Sequence, residues 1–286
     1  MKRSLRTKIL AAALLATMAG QVAAADGTNA VALDRVNLRM IGLTADQRLI
    51  SFREQDPADA SSIGFVTGLG GGDTALVGID YRVQDGNLYG VGNAGGVYLI
   101  NAGTAAATLV NRLSVALSGS SFGVDFNPAA DRLRIVSNNG QNLRHNVNAG
   151  GVTITDTAAN YVVGTPANGV SASAYTNNDL KPATATTLFN IDITLDQVAI
   201  QAPPNSGSLS VTGKTGVDAV GDAGFDIYSA SLNGATFFNT GYAVLTTLDG
   251  MSGLYHVDVL TGKATKIGAF DEPSPVVDLA IPLAQR

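Results

Sequence analysis

The segment "LVGIDYRVQDGNLYGVG", residues 76–92, returns as "SFGVDFNPAADRLRIVS", residues 121–137. Both set a glycine and an aspartate two residues apart in an apolar run, then a turn, then a second run. Side chains alternate along a strand, so Gly78 and Asp80 share one face and Ile79 and Tyr81 the other. The same form appears as "AGFDIYS" at 223–229 and more loosely as "VVDLAIP" at 276–282. A degenerate copy, "GVSASAY" at 169–175, carries Ser173 in the aspartate place. From Asp80 through Asp125, Ser173 and Asp226 to Asp278 the intervals are 45, 48, 53 and 52 residues.

Each period holds four short β-like runs parted by turn dipeptides such as Asp85-Gly86, Asn139-Gly140 and Thr261-Gly262. Four-stranded units at this spacing read as propeller blades. The last copy supplies only a first strand. The runs "NLRMIGL" at 37–43, "RLISFRE" at 48–54 and "IGFVTGL" at 63–69 supply the missing three. The sequence therefore predicts an all-β propeller of five four-stranded blades: one composite of both termini, then 76–118, 121–165, 169–214 and 221–272. The alternative, six blades, needs a further period that the sequence does not show. Closing the ring leaves no long unpaired strand edge.

The units "GIDYR…DGNLYGVG…VYLIN", "FGVDFNP…DRLRIVSNNGQNLR" and "AGFDI" resemble the bacterial family called domain of unknown function 4394, over roughly Leu38 to Pro282. The run "VDFNPAADRLR", Val124 to Arg134, is its most specific part. The resemblance implies an exported propeller-like domain. It implies no reaction and supplies no catalytic residues, and Ser173 departs from the repeat.

The N-terminus has a basic head (Lys2, Arg3, Arg6, Lys8), an apolar run from Ile9 to Ala19 and an Ala23-x-Ala25 end. This is the pattern of a secretory signal peptide over 1–25, too short in its apolar run to span a bilayer. The expected mature domain is 26–286, placed in the periplasm or outside the cell. Cleavage removes four of the 18 cations and none of the 23 acids, which leaves a net charge of −9. Such a chain has no electrostatic reason to bind nucleic acid, and no later segment is apolar enough to insert in a membrane. With no cysteine, thiol catalysis, thiolate metal sites and disulfides are excluded.

Two sets of residues are candidates for chemistry. If Asp80, Asp125, Asp226 and Asp278 crowd the channel, their carboxylates repel unless a hard cation such as Ca²⁺ joins them. The other reading is structural, with each aspartate bonding backbone N–H groups of a turn or of the next blade. That reading is favoured for a residue repeated once per unit. Gly78, Gly123 and Gly224 on the same face would let neighbouring backbone approach closely. The second set is Arg134, Asn138, Asn139 and Arg144, in the polar stretch 122–146, as the lining of a ligand mouth. The plainer reading of that stretch is one blade with a polar face. His145 and His256 fall in the third runs of different blades, so they do not pair on a metal.

The segment "GLGGGDTA", 68–75, lacks the Lys-Ser/Thr of a phosphate loop and reads as an inter-blade linker. "GVSAS" lacks the closing glycine of a nucleophile elbow. No tryptophan is present and aromatics are 6%, which weakens sugar stacking. The leading functional reading is a non-enzymatic module that binds a small molecule, a glycan or a protein, without a cofactor. The alternative is a divalent-metal hydrolase or lactonase-like propeller that uses the channel aspartates with Asn138, Asn139 or Asn177. A third, a structural surface protein, has no low-complexity tail to favour it.

Overall fold

The computed structural model describes residues 37–285; the expected signal peptide lies outside them. Nineteen strands follow one another in chain order from β1, and a twentieth closes the ring. Blade 1 contains β1 (Arg39–Thr44), β2 (Arg48–Arg53) and β3 (Asp56–Phe65). Blade 2 is β4 (Leu76–Tyr81), β5 (Leu88–Gly92), β6 (Gly96–Ile100) and β7 (Ala107–Arg112). Blade 3 is β8 (Phe122–Asn127), β9 (Arg132–Ser137), β10 (Asn142–His145) and β11 (Thr153–Thr155). Blade 4 is β12 (Val170–Tyr175), β13 (Leu188–Asp192), β14 (Gln197–Gln201) and β15 (Leu209–Lys214). Blade 5 is β16 (Gly224–Leu232), β17 (Ala235–Thr246), β18 (Ser252–Val257) and β19 (Ala264–Ala269). The last strand, β20 (Val276–Ala280), pairs antiparallel with β1 and completes blade 1 in the order β20-β1-β2-β3.

The five four-stranded sheets are thus the five blades that the repeat predicts, including the composite one. Turn chemistry sets the meanders: Gly86, Gly140 and Gly262 take positive φ at blade turns, a conformation that costs glycine nothing.

The core lies between blades rather than within one. Ile41 and Leu43 of blade 1 pack with Ile79 and Tyr98 of blade 2. Tyr89 and Val91 of blade 2 pack with Phe126 and Leu133 of blade 3, with the Tyr89 and Phe126 rings edge-on at 5.3 Å. Val136 meets Ala199 between blades 3 and 4, and Phe189 meets Phe225 and Ile227 between blades 4 and 5. Phe52 and Phe270 stack edge-on at 4.9 Å across the last junction.

The first strands β20, β4, β8, β12 and β16 run side by side about the axis. A Cβ on Gly123 would lie 2.4 Å from the Ser173 backbone nitrogen, and one on Gly224 would lie 2.5 Å from Asp278 Cα. The glycines of the repeat therefore let the first strands close on one another.

Candidate functional site

The repeat aspartates sit on those first strands, each at least nine-tenths buried. Each carboxylate reaches the next blade. Asp278 Oδ2 accepts the Ile79 N–H at 2.7 Å, and Asp80 Oδ2 accepts that of Phe126 at 2.7 Å. Asp125 Oδ1 accepts the Tyr175 N–H at 3.2 Å, and Asp226 Oδ2 accepts that of Ile281 at 2.6 Å. Asp226 Oδ1 and Asp278 Oδ1 also take the N–H of the residue that follows each, at 2.6 and 2.9 Å. Four of the five junctions carry one such staple. Hydrogen bonds to a charged acceptor are the stronger kind.

The fifth junction, from blade 4 to blade 5, has Ser173, whose hydroxyl donates instead to Asn190 Oδ1 within its own blade at 2.6 Å. A loop latch replaces the staple. The Asn178 N–H donates to Ser229 Oγ at 2.9 Å and its Nδ2 to the Ile227 carbonyl at 3.0 Å. Asp179 Oδ2 accepts the Thr236 N–H at 2.8 Å, Asn239 Oδ1 accepts the Asn177 backbone N–H at 3.0 Å, and Asn239 Nδ2 donates to Asn177 Oδ1 at 2.7 Å.

One oxygen from each of Asp80, Asp125 and Asp226 lies within 4.8 Å of the other two. These three are the residues through which a hard cation could be held; Asp278 stands outside the triad. Burial pushes all four carboxyls up. Asp226 rises from 3.8 to about 6, opposed by the Ile281 and Ile227 N–H bonds. Asp80 and Asp125 rise well above 3.8, from burial first and then from neighbouring carboxylates. Asp278 rises well above it by burial.

Arg134, Asn138, Asn139 and Arg144 do not form one mouth. Arg134 is 3% exposed and joins blades 3 and 4. Its guanidinium donates to Asn142 Oδ1, Asp156 Oδ2 and Asn205 Oδ1, each at 2.7 Å, and to the Tyr175 hydroxyl at 3.2 Å. Arg144 donates to the other Asp156 oxygen at 3.0 Å. Asn138 and Asn139 lie apart from them at the β9–β10 turn, where Asn139 is bonded to Ser118 and Ser137. Asn177 lies at the far end of its first strand from that turn, so these asparagines do not converge on the aspartates. Buried His145 bridges blades, with its ring nitrogens on Thr153 Oγ1 and Asn111 Oδ1 at 3.0 and 2.9 Å. The 68–75 linker is anchored by Asp73, which takes the Tyr98 hydroxyl at 2.8 Å and Arg112 at 3.0 Å.

A cavity of about 410 Å³ opens where the first strands of blades 3, 4 and 5 begin, and Asn138 is part of it. Ser120, Ser121, Ser171, Thr194 and Asp222 line it too. Counted back four residues from Asp125, Ser173 and Asp226, the chain gives Ser121, Gly169 and Asp222, all in this lining. That offset is the signal in the repeat that would have found the mouth. Ser121 shares the Asp125 side of its chain segment, because the two are four residues apart in extended backbone. It is 5% exposed, and its hydroxyl has no hydrogen-bond partner. A buried hydroxyl left unpaired costs about 1–3 kcal/mol.

Fold and site together define a five-bladed propeller with a carboxylate-stapled inner ring and a polar mouth. The chain belongs to the family described as Domain of unknown function (DUF4394), whose model matches residues 48–280. No curated protein matches it. Among solved structures it is similar to an auxiliary nutrient binding protein from Bacteroides ovatus ATCC 8483, at 12% identity and a TM-score of 0.40. That match covers 79% of this chain and 57% of the other, so the chain spans little more than half of that protein. A protein of unknown function from Bacteroides thetaiotaomicron VPI-5482 matches at 13% identity and 0.44, over 87% and 68% of the two chains. Apo AztD from Citrobacter koseri matches at 11% and 0.37, over 83% and 74%. At these identities and scores, no ligand of these proteins is carried over to this chain.

Proposed function

We propose that this propeller is an exported, non-catalytic binding module that takes a small polar molecule at the mouth beside Ser121 and Asp222. The observation that carries the reading is the cavity itself, whose lining gathers Ser120, Ser121, Asn138, Thr194 and Asp222 from the starts of three first strands. A volume of about 410 Å³ suits a small molecule. The absence of an aromatic ring from the lining argues against a glycan, which stacks on such rings. The basic head and apolar run before residue 26 support export. The metal-hydrolase reading has the convergence of Asp80, Asp125 and Asp226 in its favour. Against it, each of these carboxylates already accepts a backbone N–H from the next blade, and no asparagine of the mouth joins them.

The test is a thermal-shift screen of small polar metabolites against the wild type and Ser120→Trp. Ser120 is exposed at the rim, so the indole covers the mouth without entering the core. A ligand at about 100 times its Kd stabilises by about 2.7 kcal/mol, which raises Tm by roughly 5–10 °C at this chain length. A hit that loses its shift in Ser120→Trp supports the reading. Hits that bind both proteins equally, or no hit at all, overturn it.

A further inference from the structure

Blade 5 departs from the repeat at the end of the ring away from the mouth. The first two strands of blades 2 to 4 are five or six residues long, whereas β16 has nine and β17 has twelve. The pairing of β18 with β17 begins only at Gly241. Residues 235–240 and their partners on β16 therefore form a two-stranded ribbon that runs past the blade. Its turn, at Asn233 and Gly234, is at the opposite end of the hairpin from Asp222 and the mouth. Leu232, Phe237 and Phe238 of the ribbon and Leu180 of the 176–187 loop are each 59–64% exposed. The loop lies against the ribbon: Asp179 takes the Thr236 N–H, and a Cβ on Gly234 would lie 3.7 Å from Lys181 Cε. The four side chains thus share one projecting tip, and exposed apolar groups gathered in this way mark an interaction site.

Area and charge select the partner. Taking about 150–250 Å² for a large side chain, the four offer on the order of 500 Å². That falls short of the roughly 800 Å² that each partner of a stable protein complex buries. A bilayer needs no matching surface and takes a narrow apolar tip into its interface. The ribbon, 228–240, has no charged residue. Of the two charges in the loop, Asp179 is buried with both oxygens on backbone N–H groups, while Lys181 is exposed. Arg39, also exposed, stands at the base of the hairpin: Gln285 accepts the Tyr228 hydroxyl on its carbonyl and donates from Nε2 to the Arg39 carbonyl. Neither cation enters the ion pairs seen among the described residues. On a chain of net charge −5, the apolar tip carries positive charge.

We infer that the blade 5 hairpin docks this protein on an anionic lipid bilayer. Leu180, Leu232, Phe237 and Phe238 enter the boundary between headgroups and acyl chains, and Lys181 meets the anionic headgroups. The chain lies on the membrane without spanning it, and the mouth, at the other end of β16, faces water.

The experiment is flotation of the chain, purified after export, with vesicles of phosphatidylcholine alone or with about 30% phosphatidylglycerol. All variants share its N-terminus, so their comparison isolates the hairpin. The wild type is expected to float with the anionic vesicles and more weakly with the neutral ones. The double variant Phe237→Ser, Phe238→Ser loses at least about tenfold in affinity and keeps the wild-type circular dichroism and Tm, because both rings are exposed. Lys181→Gln loses about fivefold, on anionic vesicles only. Val163→Ser, at an exposed position outside the hairpin, binds as the wild type does. The chain has no tryptophan, so Phe238→Trp reports on its own surroundings: its emission should move to the blue with anionic vesicles, and that of Val163→Trp should not. A wild type that floats with neither vesicle, or a double variant that floats as well as the wild type, overturns the inference. If the wild type floats with neither and is instead a dimer in analytical ultracentrifugation that the double variant abolishes, the tip belongs to a second copy of the chain.

Discussion

Lowering the pH from about 7.5 to 4 should stabilise this protein through its inner ring, the reverse of ordinary acid destabilisation. The Asp226 carboxyl is raised by burial from 3.8 to about 6 in the folded chain. That difference corresponds to about 3 kcal/mol. Because the folded carboxyl holds its proton more tightly than the unfolded one, its contribution is complete below pH 3.8. It disappears as the pH rises through about 6. Asp80, Asp125 and Asp278 are shifted in the same direction, so the ring loses at least this much on going to neutral pH. His145 has the opposite sign: burial, helped by the Arg132 charge, pushes its ring below 6.5, and its contribution is lost as the pH falls. Asp131, held low by Arg82, keeps its contribution above about 3.8 and loses it as the pH falls from there toward its own depressed value.

The variant Asp226→Asn separates these effects. Asparagine keeps one acceptor for the Ile281 or Ile227 N–H and turns a donor toward the other, but never carries the buried charge. Urea unfolding followed by far-UV circular dichroism gives the stability of both proteins at pH steps from 4 to 7.5. The wild type should exceed the variant most at pH 4, and the Asp226 contribution alone should shrink the gap by about 2–2.5 kcal/mol by pH 7.5. The three neighbours titrate with Asp226 as a set, so they add to the shrinkage. Parallel profiles, or a gap that widens with pH, would refute a ring of proton-holding carboxyls.

Three further outcomes follow from the same geometry. Gly123→Ala sets a methyl group 2.4 Å from the Ser173 backbone, and backbone cannot yield as a side chain can; a loss of about 3 kcal/mol or more should appear in urea unfolding. Arg134→Ala strands Asp156, Asn142 and Asn205 at the junction of blades 3 and 4 and should cost about 3–5 kcal/mol. Arg134→Lys, which keeps the charge but loses the fork, should fall between wild type and alanine. Excess chelator should leave the melting temperature where millimolar calcium leaves it, because the staples already use the carboxylates; a rise of several degrees in calcium would return Asp80, Asp125 and Asp226 to the role of ligands.

The blades were legible because their signals are local. Alternating faces, Asp-Gly and Asn-Gly turns and a recurring Gly-x-Asp each act within a few residues, and their repetition counted the blades. Even the composite blade could be read from the runs at 37–43 and 48–54, although its outermost strand is β3, Asp56–Phe65, which starts ahead of the expected run 63–69. The role of the aspartates was only half legible. A carboxylate once per blade fits both a cation ring and a set of staples, and the choice depends on where the N–H groups of the next blade fall. For the stretch 122–146, its charge and amide content suggested a ligand surface. Closing blade 3 against blade 4 instead turned Arg134 inward onto Asp156, Asn142, Asn205 and Tyr175.

The mouth is assembled by the tertiary structure, although its residues share one offset in the repeat. Ser121, Gly169 and Asp222 are separated by about fifty residues each, and nothing in any one blade marks them as partners. They meet because ring closure brings the starts of three first strands to one end of the axis. The sequence by itself determined an all-β ring of five blades, since periodicity and turn chemistry are properties of neighbouring residues. Which polar groups became blade contacts, and which few were left buried without a partner, was decided only when five sheets closed on a common axis.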